Sequence, residues 1–185
     1  QDTIMQPTTI YGICKYTGEM LGNYYYQKYG VDTRSVRFPG IISNKTLPGG
    51  GTTDYAVEIY YEAIRSGHYT CAVPSDVYMD MIYMPDALRA IVELMEADPA
   101  QLRHRNSFNL ASMSFTPEII YAEIKKRLPD FTMDYNVDPI KKAIAESWPN
   151  SLDDTCAREE WGWKPEWDLS SMTDDMLAAI RKKNL

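Results

Sequence analysis

The sequence predicts an α/β protein, in which strands and helices alternate along the chain. Apolar residues recur at helical spacing over residues 8–29. Short apolar runs, such as residues 79–84, have the length expected of strands instead. Gly30 and Gly67 follow two of the helical segments, at the position where glycine commonly ends a helix.

Two patterns place each element in chain order: a repeat of three to four residues for helices, and a short β-branched or aromatic run for strands. The predicted helices are residues 8–29, 54–66, 86–96, 116–127, 139–146, 154–161 and 172–182. The predicted strands are residues 33–38, 69–73, 79–84, 107–110 and 131–135. Pro117 supports the fourth helix because proline is favoured in a first turn. Pro39 and Gly40 close the first strand, and a glycine-rich loop at residues 48–53 precedes the second helix.

Composition limits the classes of partner and site. At 185 residues, without a linker-like stretch, the chain suits one domain with a stable core. A formal net charge of −7 argues against a nucleic-acid partner, which needs a basic face. No apolar run approaches the roughly 20 residues of a membrane span. The three cysteines are widely spaced, as is typical of free thiols in a reducing compartment. With only two histidines and three widely spaced cysteines, the sequence offers few metal ligands, so we expect no metal site.

Tyr11 and Lys15 form the most informative motif, Tyr-x-x-x-Lys. Their spacing puts a phenol and an ammonium on one face of a helix, about one turn apart. A phenol has a pKa of about 10, too high for a general base at neutral pH. A lysine cation at roughly 4–5 Å would stabilise the phenolate by about 3–4 kcal/mol and lower that pKa to roughly 7–8. Tyr11 could then take a proton from an alcohol, although an ordinary surface pair has the same spacing.

Longer motifs resemble a known family. The segment RFPGII at residues 37–42, and the pattern Asp153-x-x-x-Ala157 followed by Gly162-Trp163-x-Pro165, resemble extended short-chain dehydrogenases. The string PGGGTTDYAVE at residues 48–58 is the most specific; with MSFTP at 113–117 and ESWP at 146–149, it resembles the short-chain family of L-threonine 3-dehydrogenases. The resemblance runs from Thr9 to about Leu169. One departure is Asp80, where a proline is expected.

The resemblance implies the carboxyl-terminal part of a Rossmann-type extended short-chain dehydrogenase with its smaller substrate domain. Residues 1–45 would end the dinucleotide-binding domain, and residues 46–185 would be mostly substrate domain with returning Rossmann strands and helices. The family uses NAD to oxidise L-threonine to 2-amino-3-ketobutyrate, usually as a homodimer. We expect a cytoplasmic protein, or one of the mitochondrial matrix if the source is eukaryotic.

The resemblance also implies roles for individual residues. Tyr11 would be the base, and Lys15 would hold the cofactor ribose. The turn formed by Pro39, Gly40 and Ile41 would meet the nicotinamide. Substrate would contact Gly51, Thr52, Thr53 and Trp148. The glycine-rich loop suits a carboxylate because bare N–H groups at a helix start favour an anion. The plainer alternatives are that Thr52 or Thr53 only caps the helix, and that Trp148 is core.

An absent motif qualifies this picture. Dinucleotide-binding enzymes of this kind carry Gly-x-Gly-x-x-Gly after a first strand, and this chain contains none. Residue 1 is also Gln rather than Met. We therefore expect the chain to be part of a longer enzyme and to be inactive in isolation. Two alternatives stay open: a nucleotide-sugar epimerase or dehydratase with the same tyrosine–lysine chemistry, and a non-catalytic binding relative.

Overall fold

The computed structural model describes residues 3–183 and divides them into two compact units. The first unit comprises the described residues of Gln1–Phe38 together with Leu88–Leu110 and Asp153–Lys164. The second comprises Pro39–Ala87, Ala111–Leu152 and the described residues of Pro165–Leu185. Each unit is therefore assembled from three separate stretches of chain. Which residues serve the cofactor and which the substrate stays a prediction.

The described residues contain seven helices, seven strands and one 3₁₀ turn. The helices are α1 (Ile10–Tyr29), α2 (Tyr55–Arg65), α3 (Met84–Glu96), α4 (Pro117–Lys125), α5 (Pro139–Glu146), α6 (Thr155–Trp161) and α7 (Leu169–Arg181). The strands are β1 (Val36–Arg37), β2 (Gly40–Ile42), β3 (His68–Cys71), β4 (Met79–Tyr83), β5 (Phe108–Asn109), β6 (Met113–Phe115) and β7 (Thr132–Tyr135). The 3₁₀ turn is Thr52–Asp54. No helix among residues 3–183 is both long and apolar enough to cross a membrane.

The α/β prediction is confirmed, and all seven helices lie where the periodicity places them, within a few residues. The strands differ more. The first predicted strand shrinks to the two residues of β1, and two strands, β2 and β6, were not predicted at all. Each of these two has only three residues, too few to show alternation. Gly40 was interpreted as a turn, yet it pairs with Met81 in a parallel ladder.

The first unit contains α1, β1, β5 and α6. Thr9 caps α1 by accepting a hydrogen bond from the Gly12 N–H, and Gly30 ends the helix with φ at +68°. Strand β1 pairs in parallel with β5. An ion pair of 2.6 Å between Glu19 of α1 and Arg37 of β1 ties the helix to this sheet. These contacts hold the Tyr11 helix in place.

The second unit contains two small sheets and the helices α2, α4, α5 and α7. One sheet has the order β2–β4–β6, with the first pair parallel and the second antiparallel. The other is the parallel pair β3–β7. The hydrophobic core of this unit includes Tyr60 of α2, whose hydroxyl lies 2.8 Å from Thr173 Oγ1 of α7. The core holds the start of α2 in place, and the glycine-rich loop leads directly into this helix.

Asp80, the unexplained departure, has a structural role. It lies buried in β4, and its Oδ2 accepts a hydrogen bond of 2.8 Å from the Leu152 N–H. A proline could not offer this carboxylate. Asp80 therefore fixes the segment that follows Trp148.

Candidate active site

Tyr11 and Lys15 lie together on α1, in the first unit. The Lys15 Nζ atom is 5.3 Å from the centroid of the Tyr11 ring. Both side chains are exposed, and that of Tyr11 is 74% accessible. The helix therefore presents a phenol and an ammonium side by side, as the spacing predicted. Cys14, between them in sequence, is a free and exposed thiol.

The predicted cofactor turn, Pro39–Gly40–Ile41, lies in the second unit, where Gly40 and Ile41 belong to β2. Gly40 and Ile42 are buried, whereas the Ile41 side chain, on the opposite face of the strand, is 39% exposed. The neighbours of Gly40 leave little room for a side chain. A Cβ atom there would overlap Met81 Sδ and would lie 2.9 Å from Thr53 Cγ2.

This close approach joins two parts of the predicted site. Gly40 was predicted to meet the cofactor, and Thr53 was predicted to meet the substrate. The structure places the Thr53 side chain directly against Gly40, with Thr53 Cβ only 3.2 Å from the position of the absent Cβ. Gly40 and Thr53 belong to different motifs in the sequence, yet they are neighbours within the second unit.

The glycine-rich loop corrects one expectation. We expected bare N–H groups at Gly49–Gly51. Instead, Asp54 Oδ2 accepts hydrogen bonds from the Gly49 N–H at 2.9 Å and from the Gly51 N–H at 2.7 Å. The prediction of free amides is therefore wrong at both positions, because the loop supplies its own carboxylate. Asp54 is the residue that our sequence reasoning missed. The signal for it was an acidic side chain a few residues after a run of glycines.

Thr52 and Thr53 keep their hydroxyls available. Both are partly exposed, and neither hydroxyl has a hydrogen-bond partner among residues 3–183. The capping alternative is wrong, because Gly51 precedes the 3₁₀ turn and Asp54 occupies the N-cap position of α2. An unsatisfied, half-exposed hydroxyl can donate to a bound ligand at little cost in lost internal hydrogen bonds.

Trp148 follows the end of α5, and its side chain is 39% exposed. The alternative that it is plain core is therefore wrong. Helix α5 packs against the 3₁₀ turn Thr52–Asp54, so Trp148 follows a helix that contacts the predicted substrate loop. Contact between Trp148 and substrate stays a prediction.

Two of the predicted cofactor residues, one in each unit, have side chains chemically suited to parts of NAD. Lys15 offers an exposed ammonium with three donors, which suits ribose hydroxyls. Ile41 offers an exposed apolar side chain on a strand whose neighbouring residues are buried. When bound, NAD would supply the hydride acceptor. The chain has no Gly-x-Gly-x-x-Gly motif, the feature that commonly receives the pyrophosphate of a dinucleotide.

Comparisons with known proteins identify the family. The sequence model for the NAD dependent epimerase/dehydratase family matches residues 1–111. An uncharacterized epimerase/dehydratase of Staphylococcus aureus is 58% identical over 184 residues, covering 100% of this chain and 57% of the relative. The chain thus spans little more than half the length of the curated relatives it matches.

Solved structures extend the comparison. The L-threonine dehydrogenase of Clostridium difficile is 55% identical with a TM-score of 0.96, and the match covers 99% of this chain and 57% of that one. The L-threonine dehydrogenase of Phytophthora infestans is 52% identical with a TM-score of 0.94, covering 99% and 59%. The predicted resemblance and the Rossmann-type fold class are confirmed by these matches.

Proposed function

Because the chain belongs to the NAD-dependent epimerase/dehydratase family, we propose that the whole protein oxidises L-threonine to 2-amino-3-ketobutyrate with NAD. The observation that carries the proposal is the pair of available hydroxyls at Thr52 and Thr53, with Thr53 packed against Gly40. An amino acid substrate is small, so the groups that bind it must lie close to the part of the protein that meets the nicotinamide. The identity to solved threonine dehydrogenases supports the same substrate.

The chemistry assigns each residue a task. Tyr11 Oη takes the proton of the threonine hydroxyl while the hydride leaves the same carbon, so that an alcohol becomes a ketone. Lys15 holds its ammonium beside the Tyr11 ring and donates to the ribose. Thr52 and Thr53 donate to the substrate. Because Asp54 already occupies the amides of Gly49 and Gly51, these hydroxyls replace the bare N–H groups that we expected.

A nucleotide-sugar epimerase is the competing function within the same family. It would use the same tyrosine and lysine, so only the pocket discriminates. A sugar nucleotide needs cationic groups for its diphosphate. The loop from Gly49 to Tyr55 contains no basic residue and carries the Asp54 carboxylate, which disfavours an uncompensated diphosphate more than an amino acid, whose single carboxylate is balanced by an ammonium group. The loop thus favours an amino acid.

The test uses the whole protein that carries this chain, supplied with NAD and a panel of L-threonine, UDP-sugars and simple alcohols. We expect L-threonine to have the highest kcat/KM. Thr53→Val keeps the side-chain shape against Gly40 and removes only the hydroxyl. It should lower kcat/KM for threonine by at least about tenfold, the value of one charge-assisted hydrogen bond, with little change in NAD affinity. Thr52→Val should act in the same direction.

Thr46→Val is the matched control, since Thr46 is an exposed threonine of the same unit, outside the glycine-rich loop. It should leave kcat/KM unchanged. A UDP-sugar that outperforms threonine would overturn the proposal, and equal effects of Thr46→Val and Thr53→Val would remove the role of the loop. The homodimer, the cytoplasmic location and the absence of a nucleic-acid partner stay predictions.

A further inference from the structure

A cluster of three possible metal ligands lies in the first unit, on residues that the proposed function does not use. It consists of His104, Cys156 and Glu160. One ligand atom from each side chain lies within 4.8 Å of the others. Cys156 and Glu160 are one turn apart on α6, and His104 lies in the loop that precedes β5. We propose that these three side chains bind a zinc ion, with water as the fourth ligand.

The donor set suits zinc in type and number. Thiolate sulfur, imidazole nitrogen and carboxylate oxygen are the three ligand types that zinc accepts, and three protein ligands leave one position for water. Bonds of about 2.0–2.3 Å at tetrahedral angles separate neighbouring ligand atoms by about 3.4–3.8 Å. In the structure His104 Nδ1 and Glu160 Oε1 are 2.5 Å apart, and the ligand atoms of all three residues lie within 4.8 Å of one another. The three ligand atoms are therefore close enough for one ion to contact all of them after small side-chain adjustments.

Burial makes Glu160 a strong candidate ligand. Its side chain is only 1% exposed, and acidic groups are buried this deeply only when they are paired or bind a metal. Its oxygens accept from His104 Nδ1 and, at 2.9 Å, from the His104 N–H. Zinc would take the place of the direct contact between the imidazole and the carboxylate. The backbone hydrogen bond would keep the loop in position while this exchange occurs.

Arg103 is the group that opposes binding. Its Nε lies 3.5 Å from Glu160 Oε1, and a guanidinium repels a cation at this distance. However, the Arg103 side chain is 65% exposed and also pairs with Glu159, so it can turn away from the cluster without leaving a buried charge behind. Zinc affinity should therefore be limited by Arg103, and a variant that removes its charge should bind more tightly.

The experiment measures zinc itself. The purified protein, freed of metal by a chelator, is titrated with Zn²⁺ in competition with a chromophoric chelator. We expect one Zn²⁺ per chain. Cys156→Ser and His104→Gln should each raise the Kd by at least about tenfold. Even the loss of a residue that only hydrogen-bonds to a metal ligand typically weakens metal binding by this much. Arg103→Gln should lower the Kd. Cys14→Ser and His68→Gln, which remove the same residue types from exposed positions, should not change it.

Co²⁺ provides a second measurement that does not depend on the stability of a variant. A thiolate bound to Co²⁺ absorbs in the near ultraviolet. This band should appear in the protein and in Cys14→Ser, and it should be missing in Cys156→Ser. Absence of stoichiometric Zn²⁺ binding would overturn the proposal. So would a Kd that Cys14→Ser raises as much as Cys156→Ser does.

Discussion

Gly40→Ala is the substitution whose consequence follows most directly from the structure. The added methyl group would overlap Met81 Sδ and come within 2.9 Å of Thr53 Cγ2, closer than the 3.0 Å below which a neighbour must shift. Met81 is fully buried and paired with Gly40 in the ladder of β2 and β4, so it has little room to move. Overpacking of a core by one methyl group costs about 1–3 kcal/mol. We expect a loss of unfolding free energy in this range.

The assay is chemical denaturation of the Gly40→Ala variant beside a matched control, Gly18→Ala. A Cβ at Gly18, in the middle of α1, meets nothing within 4 Å. The same substitution should therefore stabilise α1 by about 0.5–1 kcal/mol, because glycine is a poor residue in a helix. The two variants should shift in opposite directions. Equal stability of Gly40→Ala and the unmodified protein would refute the packing argument.

Further predictions concern the proposed base and two polar contacts. In the whole protein, Tyr11→Phe should lower kcat by about 10²–10⁴-fold with NAD affinity mostly intact, measured by steady-state kinetics and cofactor titration. Burial raises the pKa of Glu19, but hydrogen bonds from Arg37 and Ser107 outweigh burial and lower it overall. The stability due to the Glu19–Arg37 pair should be complete above about pH 4.3 and be lost as the pH falls through the folded-state pKa; denaturation across pH should show this loss, and Glu19→Gln should lack it. Tyr60→Phe, which removes a buried hydroxyl and leaves Thr173 to bond only the Leu169 carbonyl, should cost about 1 kcal/mol in denaturation.

The helices of this protein were predictable because each carries its own evidence. Helix α5 begins and ends at the predicted residues, since Pro139 opens it and an apolar repeat runs through it. The strands β2 and β6 carried no such evidence. Three residues cannot display alternation, and their identity as strands depends on the ladder that β4 provides. Strand pairing is a long-range property, and a single sequence does not contain it.

The candidate site was predictable to a similar extent. Tyr11 and Lys15 lie together because their proximity is set by one helix. The contact between Thr53 and Gly40 was outside the reach of spacing arguments, since it joins a loop to a strand. Spacing arguments could not predict the proximity of His104 and Cys156 either. The composition argument against a metal site considered only the number and spacing of ligands in the sequence, whereas the cluster joins a loop to a helix about 50 residues further along the chain.

Buried carboxylates explain why these long-range contacts were hidden. An acidic residue in a sequence is normally interpreted as solvent-exposed, and the net charge of −7 encourages that interpretation. Yet Asp80, Asp86 and Glu160 are buried, and each accepts a backbone N–H from a distant segment: Leu152 for Asp80, Glu166 and Trp167 for Asp86, and His104 for Glu160. A hydrogen bond to a charged group contributes about 1.5–3 kcal/mol. The summed contribution of three such bonds is therefore a substantial share of the free energy of unfolding of a typical domain. Part of the acidic excess therefore anchors the chain, at Leu152, at Glu166 and Trp167, and at His104.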